Sequence, residues 1–485
     1  MQKVSGMMAL LSLFAVQPLW AQDSPSSAVD HKVPFHQSVL TTGLEAPWEI
    51  TWGPNDMLWV TLRKAGGILG VNPKDRGKQT AIQIAEVVSI GGQDGLSRLA
   101  LDSGLLKGTW HGFVYTTCAY NDTVRPAVRT RPDPKDAFGH IYTKIVRLSY
   151  DPATGLLSDP VTWIDGLPAG SDHTSGRMKT GPDGKILCTI DDQGSDQSAN
   201  FRLSTLSRRL PSKNEMAAKD YFSCKGTSLR LNLDGTVPDD NLEPHGLRCH
   251  VFTYRHRNML GIDFGPDGTL CESEQGPKTD DEVNVLRAGG NCGWPLVVGC
   301  RDDMAYQYAS WPDATQPCAT LEFSDLAIDP TVPRQDKGQW AGDFSPPLAT
   351  LFSVPSDWNF AGPACDGRCF ICWPTVAASS IEAYRAEAGG IAGFDNALLV
   401  TALKRGSIYR IPLAADGKTR LGPIERYSHP LNRYPDTAIS PDHQTIYVVT
   451  DADGLTRVLT GVMTGGFTDK LVNPGAILVF FYSGS

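Results

Sequence analysis

The sequence predicts an all-β chain folded as a six-bladed β-propeller, and three observations carry that prediction. A short unit, a tight turn running into an apolar strand, recurs six times along the chain. Helical periodicity is scarce, and strand-like segments stand near both ends, where a ring would have to close.

The unit is plainest in "WGPNDMLWVT" from Trp52, "TGPDGKILCTI" from Thr180, "FGPDGTLCES" from Phe264 and "ISPDHQTIYVVT" from Ile439. Two degenerate copies, "LDSGLLKGTWHGFVYTT" from Leu101 and "AGFDNALLVTALKRG" from Ala392, bring the count to six. In each, Pro with Asp-Gly or Asn sets the turn, because proline fixes φ while Gly and Asn accept left-handed backbone. The residues that follow alternate or run apolar into a strand. Further strands, such as "HIYTKIVRLSYD", "KGTSLRLNLDG" and "GSIYRIPLAADG", also end in turns. A β-sandwich with a second domain is the rival architecture. Six strand-rich units joined by unequal loops fit better with blades that bury their faces on one another. "HQSVLTTGLEAPWEITW" and "GAILVFFYSG" are then expected to pair in one closing blade. Functional residues should come from loops at one end of the channel, at similar offsets in several blades. His173 and Gln93 each stand just upstream of a repeat.

Residues 1–21 carry Lys3, an uncharged apolar run from Met7 to Val16 and a small residue at Ala21, the pattern of a secretory signal peptide. The expected mature chain, residues 22–485, is read as a single propeller exported to a bacterial periplasm. The apolar run is too short to span a bilayer and no later run is long enough, so a membrane-spanning chain is not expected. The net charge of −9, without clustered Lys and Arg, argues against a nucleic-acid partner. No Gly-rich dinucleotide fingerprint follows a strand and no P-loop is present, so nicotinamide and nucleotide chemistry lack a signal. "DADG" at 451 begins like a calcium loop but lacks its closing glutamate. Eleven cysteines permit disulfides and leave at least one thiol over. Cys369 and Cys372 have redox spacing without the strand-helix context of that motif, so a structural bridge is the expected use.

Nine stretches occur together and in order: "GGQDGL", "SDHTSGR", "DDQGSDQ", "LRLNLDGTVPDDN", "HRNMLGIDF", "SEQGPKTDDEVN", "GGNCGWP", "CFICWPTVA" and "LKRGSIYRI". In this the chain resembles the soluble PQQ-dependent glucose dehydrogenases of the glucose/sorbosone dehydrogenase family, over nearly all of the expected mature sequence. That family is a six-bladed propeller, in agreement with the repeat count.

The resemblance implies a role for each residue, beside a plainer one. It makes His173 the general base that takes the proton of the anomeric hydroxyl, a task suited to an imidazole whose ordinary pKa is about 6.5. On its own it reads as a hydrogen-bonded loop histidine. Asp172 becomes the acidic neighbour of that base rather than a turn cap. Gln93 and Gln197 become contacts to sugar or cofactor rather than loop amides. Arg257 and Asn258 are implied to lie against the reactive quinone carbonyl, where a guanidinium stabilises developing negative charge. Gln275, Thr375, Lys404 and Arg433 complete the implied cofactor set. Calcium is implied at the carbonyls of Gly276 and Pro277, where a hard cation accepts oxygen donors. Further calcium is implied at Glu282 and Asp302 with main-chain oxygens near Cys292 and Val298. Read plainly, the run Asp280-Asp281-Glu282 is a solvated turn. Trp373 and Phe370 form the implied sugar wall, and Cys365 and Cys372 the implied disulfide that braces it.

The chain also departs from the pattern. Arg433-Tyr434-Pro435 stands where the family has Arg-Tyr-Arg, so one cation facing the cofactor's three carboxylates is missing. A charge-assisted hydrogen bond contributes about 1.5–3 kcal/mol, so its loss weakens binding by about tenfold or more unless Arg405 or another cation takes its place. Phe370 lacks the hydroxyl of a family tyrosine, and Cys292 replaces another. The implied activity is PQQ- and calcium-dependent oxidation of an aldose, glucose first, to its lactone. Electrons then pass to an external quinone, cytochrome or dye, and a homodimer is compatible with the family. The alternatives are another aldose, an oligosaccharide or a sorbosone-like aldehyde as substrate, or a propeller that binds sugar without turnover.

Overall fold

The computed structural model describes residues 28–31, 34–91, 93–106, 112–125, 140–170, 172–194, 206–265, 267–317, 320–322, 324, 326–361, 365, 369–385, 389–460 and 463–484. The expected signal peptide lies outside them. Beside two two-stranded pairs, one of them Gln307–Ala309 with Arg334–Asp336, the described strands form six blade sheets, each with four antiparallel strands taken in chain order apart from the closing one. Blade 1 comprises Pro47–Trp52, Leu58–Leu62, Gly67–Val71 and Lys78–Gln83. Blade 2 comprises Leu96–Leu101, Phe113–Asn121, Ile141–Asp151 and Leu156–Pro168. Blade 3 is Met178–Thr180, Ile186–Ile190, Thr227–Leu231 and Val251–Tyr254. Blade 4 is Met259–Phe264, Leu270–Glu274, Asp281–Val285 and Ala349–Leu351. Blade 5 is Ala378–Tyr384, Ala397–Ala402, Ile408–Pro412 and Ile424–Tyr427, with Ala28–Asp30 added in parallel at its rim.

Blade 6 closes the ring. Asp436–Ile439, Thr445–Val449 and Ile477–Tyr482 are joined by Phe35–Thr41 from the other end of the chain, with Gln37 opposite Phe480. The two terminal segments expected to pair do so. Every one of the six sequence repeats falls at the first hairpin of its blade, which is why turn chemistry alone counted the blades.

An apolar cluster fills each contact between neighbouring blades. Leu99, Val114 and Leu148 of blade 2 meet Trp59 and Ile68 of blade 1, and Ile381, Leu398 and Val400 of blade 5 meet Cys271, Val283 and Leu351 of blade 4. Clusters of the same kind join the other four pairs of blades. Each buried aliphatic side chain contributes about 1.5–3 kcal/mol, so the blades are held face to face along their whole height.

The first strands of successive blades pack around the axis, and the axis is charged. Arg177 bonds Glu49 and donates to Asp436 Oδ1 at 2.5 Å, while Arg98 Nη1 lies 3.8 Å from Glu49. Lys179 Nζ meets Asp263 at 2.8 Å and Glu382 at 3.6 Å. Seven charged residues from the first strands, or from the step into them, thus line the axis, three cations among four anions. No helix among the described residues is long and apolar enough to cross a membrane.

Candidate active site

Two kinds of loop reach the same end of the channel: those entering a first strand and those leaving a second strand. The entering loops deliver Gln93, Asp172 and His173, Arg257 and Asn258, Thr375, and Arg433 ahead of strands beginning at 96, 178, 259, 378 and 436. The leaving loops deliver Asp192, Gln275 and Lys404 after strands ending at 190, 274 and 402.

His173 is buried, at 4 % exposure, and its backbone is left-handed, with φ 49°. Such a conformation in a non-glycine residue persists only where the surroundings impose it. Its own N–H donates to Asp172 Oδ1 at 3.1 Å, and its carbonyl accepts from Gln193 Nε2 at 3.3 Å. Nδ1 of the ring lies 2.5 Å from Asp192 Oδ1, while the other oxygen of Asp192 accepts from Trp294 Nε1 at 2.9 Å. Nε2 points toward Asp172, 3.7 Å from Oδ2, and Gln93 Nε2 donates to Asp172 Oδ1 at 2.9 Å. Asp192 stood inside the quoted "DDQGSDQ" stretch, but nothing in its spacing marked it as the partner of a histidine 19 residues earlier.

From this pair the contacts continue without a gap. The Trp294 ring lies 5.5 Å from the Arg257 guanidinium, whose Nη1 donates to the carbonyls of Gln275 at 2.9 Å and Gly276 at 3.1 Å. Asn258 donates to Gln275 Oε1 at 3.1 Å, and Gln275 donates to the Ala378 carbonyl at 3.1 Å. Arg257 Nε, Asn258 Oδ1 and Trp373 Nε1 are buried polar atoms without a protein partner, so each still has a hydrogen bond to give or accept. Asp281 ties this loop to the next blade by accepting from the N–H groups of Gly276, Val376 and Ala377 at 2.8, 2.6 and 2.7 Å. The acidic run is therefore no solvated turn: Asp280, Asp281 and Glu282 are all buried, because each finds donors inside the fold.

Lys404, 8 % exposed, bonds the Thr375 hydroxyl and donates to the Trp373 carbonyl at 3.4 Å. Burial, then repulsion from Arg457 and Arg257, holds its ammonium well below the ordinary lysine pKa. Arg433 is taken up within the protein, donating from Nε to Asp451 at 3.0 Å and from Nη1 to the Leu455 carbonyl at 2.9 Å. Cys365 and Cys372 form the expected disulfide, so Cys372 is not half of a redox pair with Cys369. Phe370 is half exposed on the short helix Cys369–Cys372. Gln197 lies outside the described residues.

A family model for glucose / sorbosone dehydrogenase matches residues 44–335. Quinoprotein glucose dehydrogenase B of Acinetobacter calcoaceticus is 37 % identical over 479 residues, spanning 97 % of this chain and 95 % of that one. The chain belongs to the glucose/sorbosone dehydrogenase family. Among solved structures, the PQQ-bound aldose sugar dehydrogenase of Streptomyces coelicolor superposes with a TM-score of 0.58 at 21 % identity, over 93 % of this chain and 99 % of that chain. The apo-form of the soluble aldose sugar dehydrogenase of Escherichia coli gives 0.56 at 17 %, over 92 % of this chain and 99 % of that chain. At such identities the two support the fold alone.

For this member of the glucose/sorbosone dehydrogenase family, the donors suit PQQ: buried cations, orphaned polar atoms and a threonine hydroxyl gather where an anionic quinone would lie. The loop at Gly276 also suits a calcium ion. It is wound so tightly that a Cβ there would stand 2.0 Å from the Thr279 carbonyl oxygen and 2.6 Å from that of Asp280, so the bend admits only glycine and brings main-chain oxygens close together. The Gly276 carbonyl accepts one hydrogen bond from Arg257 and has a second lone pair for a hard cation.

The second group of expected calcium ligands does not fit an ion. Lys337, 1 % exposed, sends its ammonium to Asp302 Oδ1 at 2.8 Å, the Val298 carbonyl at 3.2 Å and Asp280 Oδ2 at 3.3 Å. Glu282 turns away and accepts from Gly299 N–H at 2.5 Å and Asn284 at 2.9 Å. Cys292 is buried, its N–H donating to the Tyr254 carbonyl at 3.0 Å. A lysine ammonium carries three donors and a full charge, so it already supplies what those oxygens require.

Proposed function

We propose that this protein oxidises an aldose, glucose first, at its anomeric carbon to the lactone, with PQQ and a calcium ion held at the carbonyls of Gly276 and Pro277. PQQ, when bound, supplies a quinone that accepts two electrons. Arg257, Asn258, Gln275, Thr375 and Lys404 would hold it, the cations meeting its carboxylates and quinone oxygens.

The observation that carries the reading is the His173–Asp192 pair. A carboxylate fixed by Trp294 accepts from Nδ1–H, which sets the imidazole tautomer and leaves the Nε2 lone pair to take a hydroxyl proton. Asp192 also stabilises the imidazolium that forms. Asp172, half exposed beside Nε2 and steadied by Gln93, is placed to accept from a sugar hydroxyl and so align the substrate. Trp373 offers a ring face and Phe370 an apolar edge to the sugar, which lowers the number of hydrogen bonds that select among aldoses.

The test is reconstitution of apoprotein with PQQ and Ca²⁺, followed by dye reduction over a panel of aldoses, oligosaccharides and aldehydes. Turnover with a monosaccharide is expected, and its absence across the panel at saturating cofactor overturns the reading. Export to the periplasm is part of the proposal, checked by a mature N-terminus near Gln22.

A further inference from the structure

Resting on that cofactor reading, we infer that Arg457 is a cofactor-binding residue that meets a carboxylate of the bound quinone, supplying a cation that Pro435 does not. Arg457 belongs to the two-stranded extension Thr456–Thr460 and Met463–Thr468, which blade 6 carries between its second and third strands. Its side chain is buried, at 6 % exposure, and reaches into the loop between blades 4 and 5. Nη1 donates to the Trp373 carbonyl at 3.1 Å and Nη2 to the Thr375 carbonyl at 2.9 Å, while Nε, also buried, has no protein partner.

Lys404 reaches the same spot, donating to the same Trp373 carbonyl and to the Thr375 hydroxyl. Two buried cations therefore share one neutral acceptor. Asp281 is the carboxylate that draws on both, yet its oxygens already accept three backbone N–H groups. Arg433 is matched by Asp451, and Arg405 turns outward to the carbonyls of His429 at 2.5 Å and Arg457 at 3.2 Å. Pro435 gives no donor, and its carbonyl accepts from Ser379 at 2.8 Å. A buried pair of like charges with a saturated counter-ion is costly in the empty protein and is relieved by an anion with more than one carboxylate. The guanidinium fork suits a carboxylate bidentately, which a lysine at the same place does not.

The experiment titrates apoprotein with PQQ, following cofactor absorbance and tryptophan fluorescence, in wild type, Arg457→Met, Arg457→Lys and Arg457→Met combined with Pro435→Arg. The expected result is that Arg457→Met weakens PQQ binding about tenfold or more, that Arg457→Lys falls between, and that Pro435→Arg restores part of the loss. Thermal melts of the apoproteins should show Arg457→Met at least as stable as wild type, because a buried unmatched charge is gone. Unchanged PQQ affinity in Arg457→Met overturns this inference and leaves the cofactor reading standing, and so does a lower apoprotein melting temperature without a change in affinity. Wild-type protein that binds no PQQ overturns both.

Discussion

The charged axis and the charged mouth of the channel lie a few residues apart along the same strands, and they are built on opposite terms. Along the axis each cation has its anion: Arg177 lies between Glu49 and Asp436, and Lys179 between Asp263 and Glu382. At the mouth Arg257, Lys404 and Arg457 rest on carbonyls and a hydroxyl instead. Matched buried charge joins five blades and has nothing left to offer a ligand. Unmatched buried charge lowers the stability of the empty protein and gives that free energy back when an anion binds.

The sharpest way to separate the two regions is to remove one group from each. His173→Asn at the mouth is expected to lower turnover about 10²–10⁴-fold while PQQ absorbance titrations stay as in wild type, since the base acts on the sugar. Arg177→Met at the axis leaves Glu49 and Asp436 buried without their cation, and denaturant melts should show a loss of about 3–5 kcal/mol. Should Arg177→Met melt like wild type, the axial charges are not the tie between blades that their geometry makes them.

Lys404 gives the comparison a pH axis. Its folded-state pKa lies well below the unfolded value, so its contribution to stability is intact above the unfolded pKa of about 10.4 and is lost as pH falls through the folded one. Apoprotein with Lys404→Met should therefore melt higher than wild type at neutral pH, and the gap should close toward pH 10. A bound carboxylate favours the ammonium, so PQQ affinity should fall as pH rises in wild type and lose that dependence in Lys404→Met. The smallest expected effect concerns Lys337: EDTA should leave the melting temperature of the apoprotein unchanged, because the cation among Asp280, Asp302 and Val298 is part of the chain.

What the sequence disclosed follows from how local each signal is. The six blades were legible because a Pro-Asp-Gly turn and the strand after it lie within a dozen residues, and the loops carrying His173, Arg257 and Lys404 were legible as motif stretches. The axial ring was not, because Arg177 meets partners 128 and 259 residues away and no spacing encodes that register. Asp192 and Arg457 were missed for the same reason. Asp281 was misjudged because three adjacent acids look like a wet turn until the backbone N–H groups that desolvate them are seen. Lys337 shows the converse error, in which oxygens suited to a metal meet a cation from a distant segment.

The seam in blade 6 also sets an order of events. Its outermost strand, Phe35–Thr41, is among the first to be synthesised, and the strand it pairs with, Ile477–Tyr482, is the last. The ring cannot lock before Ile477–Tyr482 has emerged, so the early strand must wait unpaired through some 440 further residues. Under the proposed export this delay is useful, since an unclosed propeller is still threadable. For the engineer it is a warning: a truncation that cuts into Ile477–Tyr482 removes a latch, and the damage falls on the early strand Phe35–Thr41 as well.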